Sequence, residues 1–573
     1  MKELLKHLKP YAKECIIAPL FKMIEATFEL FVPLVVAYII NYGIANQDYK
    51  AIFICIVLLL GFAVIGYACA LIAQYYSAKA AIGFAKEVKH TLYEHIQTLS
   101  FADIDKIGIS SLITNMSSDI NQMQTGVNIF LRLFLRSPFV VLGAVIMSFI
   151  VNVKTALVFA IAVPILSVFV FLIMYKSIPL MKKVQSKLSN LLKRTRDNLN
   201  GIRVIRAFKL EKNETKEFKE VNEDFSKFQL FAGKISTLLN PITYVIINFS
   251  IIMIIYLGGI EVNNGTIKNG DVVAQYNYMS QILIELIKFA SFTITLNKAL
   301  ASGKRVFSVL EIKNTQHFPE ESIITNDSNI AVKMTNCALC YPTNSENSIE
   351  NINLTVTKGQ TIGIIGSTGS GKTTLINLLA RYYDATEGSI ELFGNDIKNY
   401  SKKDLRDMVG VVLQDAVLFK GTIKDNILMS KTATKEEINK ALEIAQALDV
   451  VKNRENQLEA TVNQGGTNFS GGQKQRLSIA RTLLSNPKIL VLDDSSSALD
   501  YLTDKLLRDA IKKLNDELTL FIISSRCASI IDADKIVVLD EGKIVGLDTH
   551  DNLLKTCDIY KEIYYSQNEK EGI

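Results

Sequence analysis

The sequence predicts a membrane all-α domain of six helices with long helical extensions beyond the bilayer, followed by an α/β domain with a phosphate-binding loop and a helical subdomain. Three observations carry this reading. Six stretches in the first half are apolar enough to cross a bilayer, which takes roughly 20 residues each. Near residue 311 the pattern changes to short apolar runs alternating with polar helical ones, as in a parallel α/β domain. Within that second half, residues 366–373 read Gly-Ser-Thr-Gly-Ser-Gly-Lys-Thr, the Gly-x-x-x-x-Gly-Lys-Ser/Thr pattern of a loop that wraps phosphate.

The predicted spans are 15–41, 52–78, 127–152, 155–179, 235–261 and 271–297, with only Asn152-Val153-Lys154 between the third and fourth. The connections 79–126 and 180–234 are long, polar and rich in Lys, so by the positive-inside rule they face the cytoplasm, as does the Lys-bearing N-terminus. An even number of spans brings the second half back to the same side. Each long connection has helix-like spacing and room for a pair of arms of ~24 residues, which reach ~35 Å at 1.5 Å per residue. The turns that dock on the second domain are expected within Gly108 to Asp119 and Asp197 to Phe208. The domains are therefore drawn at 1–310 for the membrane part, 311–329 for a linker and 330–573 for the α/β part.

Charged residues inside the spans are costly and by default face a protein interior or a wet cavity. Here they are Lys22, Glu25, Glu29, Arg132, Arg136 and Glu285. Glu25 and Glu29, one turn apart, either line a path for cationic or amphipathic cargo or serve local pairs such as Lys22 with Glu25. The arginines alternatively snorkel near span ends.

Other classes find little support. The net charge of +6 over 573 residues is small, and the Lys-rich stretch 182–193 flanks a span without interleaved aromatics, so no nucleic-acid partner is expected. The N-terminus shows no small-residue cleavage site before the first apolar segment. Seven scattered cysteines do not form a disulfide framework, and Cys337-x-x-Cys340 lacks the second pair a zinc site needs.

The phosphate loop sits in the right setting, after an apolar strand at Thr361–Ile365 and before a helical run from near Thr374. Gly366, Gly369 and Gly371, with Ser367, Thr368 and Ser370 between them, let backbone N–H groups curl round phosphates. Lys372 then reaches the β and γ oxygens, and the Thr373 hydroxyl ligates Mg²⁺. The expected ligands are thus ATP and Mg²⁺. Further on, the strand Ile489–Leu492 ends in Asp493 and Asp494, and Asp493 is placed to hold the Mg²⁺ shell. Between the two lies Ser470-Gly471-Gly472-Gln473, leading into a helix whose N-terminus suits a γ-phosphate. Lys372 already holds the phosphates in one molecule, so a second phosphate-seeking loop implies a second subunit.

With these motifs in this order, the chain resembles an ABC transporter half of the exporter type over essentially its full length. Residues 366–373 with Thr374 resemble Walker A, Asp493 ends a Walker B strand, and Phe469 to Gln473 resemble the family signature, with Phe where Leu is commoner. The resemblance implies that Gln414 is the Q-loop residue sensing Mg²⁺, that Tyr341 stacks on adenine, and that Ser497-Ala498-Leu499-Asp500 is the D-loop. The fused six-span domain with long arms implies export rather than import, as a multi-pass protein of a bacterial plasma membrane with both termini cytoplasmic.

The family pattern breaks at two positions. Asp494 stands where the family has the glutamate that orients the attacking water, and its carboxylate is retracted by ~1.5 Å, an error that can cost ~10²-fold. Ser525 stands where the family has a switch histidine, and no histidine lies between Asp500 and Thr549. The resemblance then implies a site that binds ATP and hydrolyses it poorly, in a heterodimer whose other half supplies the missing groups. Expected cargo is a drug or small amphipathic compound. The alternatives are a peptide or lipid exporter subunit, a non-transporting ATP-binding regulatory subunit, and a homodimer in which Asp494 works as the base.

Overall fold

The computed structural model describes residues 4–325, 327–514 and 517–568. The chain forms two compact units, one made of the residues up to His95 with Ser110–Glu311, the other of Ile96–Ile109 with the chain from Ile312 onward. Among the described residues, six helical stretches are long and apolar enough to cross a membrane.

In the first unit, α1 (Ala12–Tyr38) is followed by α2 (Tyr49–Thr98), an unbroken helix of 50 residues, ~75 Å long, that carries the second span and its arm together. Two short helices of the next connection, α3 (Phe101–Ile107) and α4 (Ile109–Thr114), lead to α5 (Ile120–Leu133) and α6 (Arg136–Val151), which make the third span. Asn152 alone separates α6 from α7 (Val153–Asn200), and its side chain caps the new helix by accepting from Thr155 N–H at 3.0 Å. The turn between the third and fourth spans is tighter than the three residues expected. A tip helix α8 (Ile202–Ala207), the returning arm α9 (Glu211–Thr237), then α10 (Leu239–Asn263) and α11 (Asn269–Leu310) complete the unit. Both arms are therefore helices continuous with spans, as the spacing predicts.

Lipid offers no hydrophobic drive between helices, so close packing and buried polar pairs hold them. The core joins Ala26, Leu30, Ala144, Phe159, Ala162, Ile254 and Ala274, mostly small or branched side chains from α1, α6, α7, α10 and α11. Tyr278 is fully buried and donates to the Leu30 carbonyl at 2.8 Å. Gln275 and Ser148, on α11 and α6, satisfy each other twice over, side chain to side chain and side chain to carbonyl.

The second unit starts from β1 (Ile330–Leu339), β2 (Ile349–Thr357), β3 (Thr361–Gly366) and α12 (Lys372–Leu379). It continues through β4 (Glu387–Leu392), β5 (Asn395–Asp396), α13 (Lys402–Met408) and β6 (Val409–Val412). The helical part holds β7 (Gly421–Thr422), α14 (Ile423–Leu428), α15 (Lys435–Ile444), α16 (Leu448–Lys452), β8 (Thr461–Val462) and α17 (Gly471–Leu483). The chain returns through β9 (Ile489–Asp493), α18 (Tyr501–Lys512), β10 (Thr519–Ile523), β11 (Lys535–Asp540), β12 (Lys543–Asp548), α19 (His550–Thr556) and α20 (Asp558–Asn568).

The main sheet has the order β12-β11-β3-β10-β9-β6, with β11, β3, β10, β9 and β6 parallel. Strands β3, β9 and β10 are buried along their whole length, which is why they read as unbroken apolar runs rather than alternations. A separate antiparallel sheet has the order β2-β1-β4-β5. Its β1 buries Cys337, whose thiol points to the Ser389 carbonyl at 3.1 Å, and Cys340 follows just past the strand end.

The expected docking turn needs correction. The segment grouped with the α/β unit is Ile96–Ile109, which carries α3 and overlaps the expected Gly108 to Asp119 only at Gly108 and Ile109. Ser100 and Asp103 cap α3 reciprocally, and Asp103 also accepts from Thr315 N–H at 3.1 Å. Phe101 packs on Tyr382 with ring centres 5.1 Å apart, and Tyr383 donates its hydroxyl to Asp105. The other expected tip, α8, lies in the first unit and has no buried residue.

Candidate nucleotide-binding site

Parallel strands leave all their C-terminal ends on one edge, and ligands of open α/β sheets bind there. Here Ile364, Ile523 and Asp493 lie in register on neighbouring strands, and Leu492 pairs with Val412. Among the chain segments leaving this edge are the glycine-rich loop after β3, the Ser524–Arg526 segment after β10, Asp494 after β9, and Leu413–Gln414 after β6. Four motifs separated by up to ~160 residues are thereby gathered at one place.

The loop itself is shaped by its glycines. Gly371 has φ +97°, a conformation that costs an L side chain strain, and a Cβ on Gly366 would lie 2.2 Å from the Leu539 carbonyl. Ser367, Thr368 and Gly369 are exposed while Ser370 is buried. Lys372 opens α12 and bends back over the loop, donating to the carbonyls of Gly366 at 2.8 Å and Ser367 at 2.7 Å. Burial holds its ammonium below the usual lysine range, against the pull of Asp494 and Asp493. Thr373 is exposed at the first turn and Thr374 buried behind it. Tyr341 donates to the Thr374 hydroxyl at 3.3 Å, accepts from Asn377 at 2.9 Å, and meets the edge of Tyr383. It is held against the same helix that the phosphate loop opens.

Asp493 is buried at the end of β9, and its pKa is pushed up to about 6, first by burial and then by Asp494, with Lys372 opposing. Asp494 has φ +44°, a left-handed conformation that Asp tolerates better than most residues. One of its oxygens lies 3.4 Å from Gln414 Nε2, and the other is buried with no partner among the described residues. Ser370 Oγ is likewise buried without a partner. An ammonium satisfied only by loop carbonyls, two orphaned oxygens and a carboxylate that resists ionising alone fit a phosphate chain accompanied by a divalent cation. Thr373, Gln414 and Asp493 are the oxygen donors that would hold Mg²⁺, a set suited to a hard ion.

The Ser470–Gln473 loop stands apart as a helix N-terminus. Ser470 Oγ accepts from Gln473 N–H at 3.3 Å, and the Gln473 side chain accepts from Ser470 N–H at 3.1 Å. The exposed Gly471 and half-buried Gly472 follow, so free N–H groups face outward. Phe469, unusual at its position, is buried in the helical subdomain, and the Arg454 guanidinium lies 4.1 Å above its ring.

Ser525 is exposed where β10 ends, and its side chain makes no hydrogen bond among those described. Its backbone is held from α20, an element no motif connects to it. Gln567, near the end of α20, donates to the Ser525 carbonyl at 2.8 Å and accepts from Cys527 N–H at 2.9 Å. A side-chain amide paired with two backbone groups has no local motif, so no signal in the sequence could have found it. A hydrogen bond of this kind is worth about 1 kcal/mol. Gln567→Ala should therefore raise amide exchange in the 525–527 segment about fivefold by hydrogen-exchange mass spectrometry, and unchanged exchange would show the clasp to be inert.

Comparison with known proteins agrees with both halves. The family model "ABC transporter transmembrane region" matches residues 15–286, and "ABC transporter" matches residues 349–497. The chain is 32% identical to the uncharacterized ABC transporter ATP-binding protein YfiB of Bacillus subtilis, covering 100% of this chain and 99% of that protein. It is 31% identical to the ATP-dependent lipid A-core flippase of Desulfotalea psychrophila over 84% of each. In three dimensions it matches a bacterial Atm1-family ABC exporter with ATP bound, at TM-score 0.78 and 20% identity, over 97% of this chain and 98% of that one.

Proposed function

Since the chain belongs to the ABC transporter family, we propose that it is one half of a heterodimeric exporter whose own nucleotide site binds ATP and hydrolyses it poorly. The observation that carries this is the pairing of Asp494 with Ser525 on adjacent strand ends beside an otherwise complete phosphate loop. Binding needs the loop, Lys372, Thr373 and Asp493, all present together. Turnover needs a water-directing carboxylate and a γ-phosphate contact, and those two positions are the altered ones.

In this reading Lys372 exchanges the Gly366 and Ser367 carbonyls for phosphate oxygens when ATP enters. Gly366, Ser367, Thr368, Gly369, Ser370, Gly371 and Thr374 frame those phosphates, and Tyr341 faces the base. Mg²⁺ when bound neutralises phosphate charge, and Thr373, Gln414 and Asp493 fix where it sits. The outward N–H groups after Ser470 meet the nucleotide of a second ABC exporter half, because this chain's own loop already encloses its phosphates. That partner supplies the glutamate and histidine this chain lacks. Helix α8 and the Phe208 that follows it, with Val204 and Phe208 exposed, offer a face for a second chain to cover.

The protein is placed in a bacterial plasma membrane with both termini in the cytoplasm, moving drugs or other amphipathic compounds outward. The domain limits 1–310, 311–329 and 330–573 serve as working boundaries for that reading. The test is ATP turnover of the chain purified alone and co-expressed with the transporter half encoded beside it. Near-silence alone and activity in the pair are expected. Ordinary exporter turnover by the chain alone would instead make Asp494 the working base of a homodimer.

A further inference from the structure

A cavity of about 360 Å³ lies where three segments of the second unit meet: the entry to α3, the stretch 314–318, and α13. Small-molecule sites begin at roughly this size, ~300 Å³. Its walls are of two kinds. Phe101 and Phe318 supply aromatic surface, while Lys402, Arg406 and His317 supply nitrogen. Lys402 and Arg406 are one turn apart on α13, so their side chains come to the same side of that helix.

No carboxylate lines the cavity among the described residues. Lys402 is exposed and makes no hydrogen bond or ion pair among them. Arg406 is half-buried, with its guanidinium 4.6 Å over the Tyr382 ring and donating to the Ala380 and Arg381 carbonyls. Burial holds that guanidinium below the usual arginine range, opposed by Tyr382 and reinforced by the like charge of Arg381. The carboxylates on the neighbouring elements are already engaged. Asp103 accepts from Ser100 and Thr315, Asp105 from Tyr383, and Asp404 from Ser401 and Ser322. Asp407 takes Lys431 at 3.2 Å, and Asp384 takes Arg381 at 2.8 Å. A guanidinium without a carboxylate, an ammonium one turn away and two aromatic rings together complement an anion carried on a flat apolar body.

We propose that this cavity binds a small phosphate ester of a planar ring, at a site separate from the phosphate loop. Lys402 and Arg406 take the phosphate, and Phe101 and Phe318 take the ring.

The chain has no tryptophan, so Phe318→Trp gives a single fluorescent reporter in the wall. The full chain in phosphatidylcholine nanodiscs, without nucleotide, is titrated with phenyl phosphate, inorganic phosphate and phenyltrimethylammonium. Phenyl phosphate should bind at least tenfold tighter than either of the others. Lys402→Gln should weaken it about tenfold, the usual worth of one charge-assisted hydrogen bond. Lys372→Ala, which disables the phosphate loop, should leave it unchanged. Equal affinity for the three probes, binding that survives Lys402→Glu at unchanged melting temperature, or binding lost in Lys372→Ala would each overturn the proposal.

Hydrogen exchange on the chain without the reporter locates the ligand. Phenyl phosphate should slow exchange at least twofold in residues 97–101 and 314–318, and slowing confined to other segments would overturn the assignment. AMP separates the sources of the ester. Displacement of phenyl phosphate by AMP in Lys372→Ala supports a nucleotide as the natural ligand, and failure to displace it supports a smaller ester. The co-expressed pair should bind phenyl phosphate as the chain alone does. Loss of binding in the pair would mean that the second half fills the cavity, and the small-ligand assignment would be wrong.

Discussion

Changing Asp494 to Glu and Ser525 to His together is expected to raise ATP turnover at this chain's own site by about a hundredfold. The glutamate extends the carboxylate by one methylene, ~1.5 Å, and a positioning error of that size is worth ~10² in rate. A placed general base or water-orienting group contributes ~10²–10⁴. The surroundings are ready for both changes. Asp494 already has Gln414 at 3.4 Å on one oxygen, and its other oxygen is unclaimed. Ser525 rides on a backbone clasped by Gln567, so an imidazole there starts from a fixed Cα.

The single changes should each give much less, since groups acting on one water and one phosphate are strongly non-additive. One cost is foreseeable. Position 494 has φ +44°, which Asp adopts more readily than Glu, so the double variant should melt slightly lower. The measurement is steady-state phosphate release in the co-expressed pair, with the partner's Walker lysine removed so that only this site reports. Turnover unmoved by the double change, with ATP binding intact, would mean that Asp494 and Ser525 are not what limits the site.

The second large effect is structural. Arg136→Leu should destabilise the membrane unit by roughly 3–5 kcal/mol, the usual cost of removing one partner from a buried ion pair. The Arg136 and Glu285 side chains are only 6% and 4% exposed, so Glu285 would keep a charge with fewer partners in a dry setting. Glu29 is 44% exposed and adds little to that sum, because solvent screens it. Adding Glu285→Gln to Arg136→Leu should recover most of the loss, since a neutral side chain in the same place no longer needs a cation. Thermal unfolding in detergent reads both variants. Equal melting for Arg136→Leu and wild type would show the network to be solvated and without structural weight.

Much of this protein is legible in contiguous residues. The spans declare themselves as apolar runs, and the phosphate loop as glycines spaced for left-handed backbone before a Lys-Thr pair. The Ser470–Gln473 loop declares itself as a glycine-bearing entry to a helix, which the structure closes with a capping box. Each is a local energetic matter, decided by partitioning, by allowed φ and ψ, or by a hydrogen bond spanning three residues. The departures at Asp494 and Ser525 were legible for the same reason, because a motif of known spacing makes a changed residue visible.

Other features exist only through the fold. Arg136 meets Glu29 and Glu285 across 107 and 149 positions of sequence, and which span faces which is set by helix packing. The intramembrane charges could therefore be found in the sequence but not paired. The same holds for Phe101 against Tyr382, and for Gln567 reaching back to Ser525. Local patterning determined what the elements are and that they bind nucleotide. Tertiary packing decided which charges cancel, because cancellation depends on distances between helices that no single helix encodes.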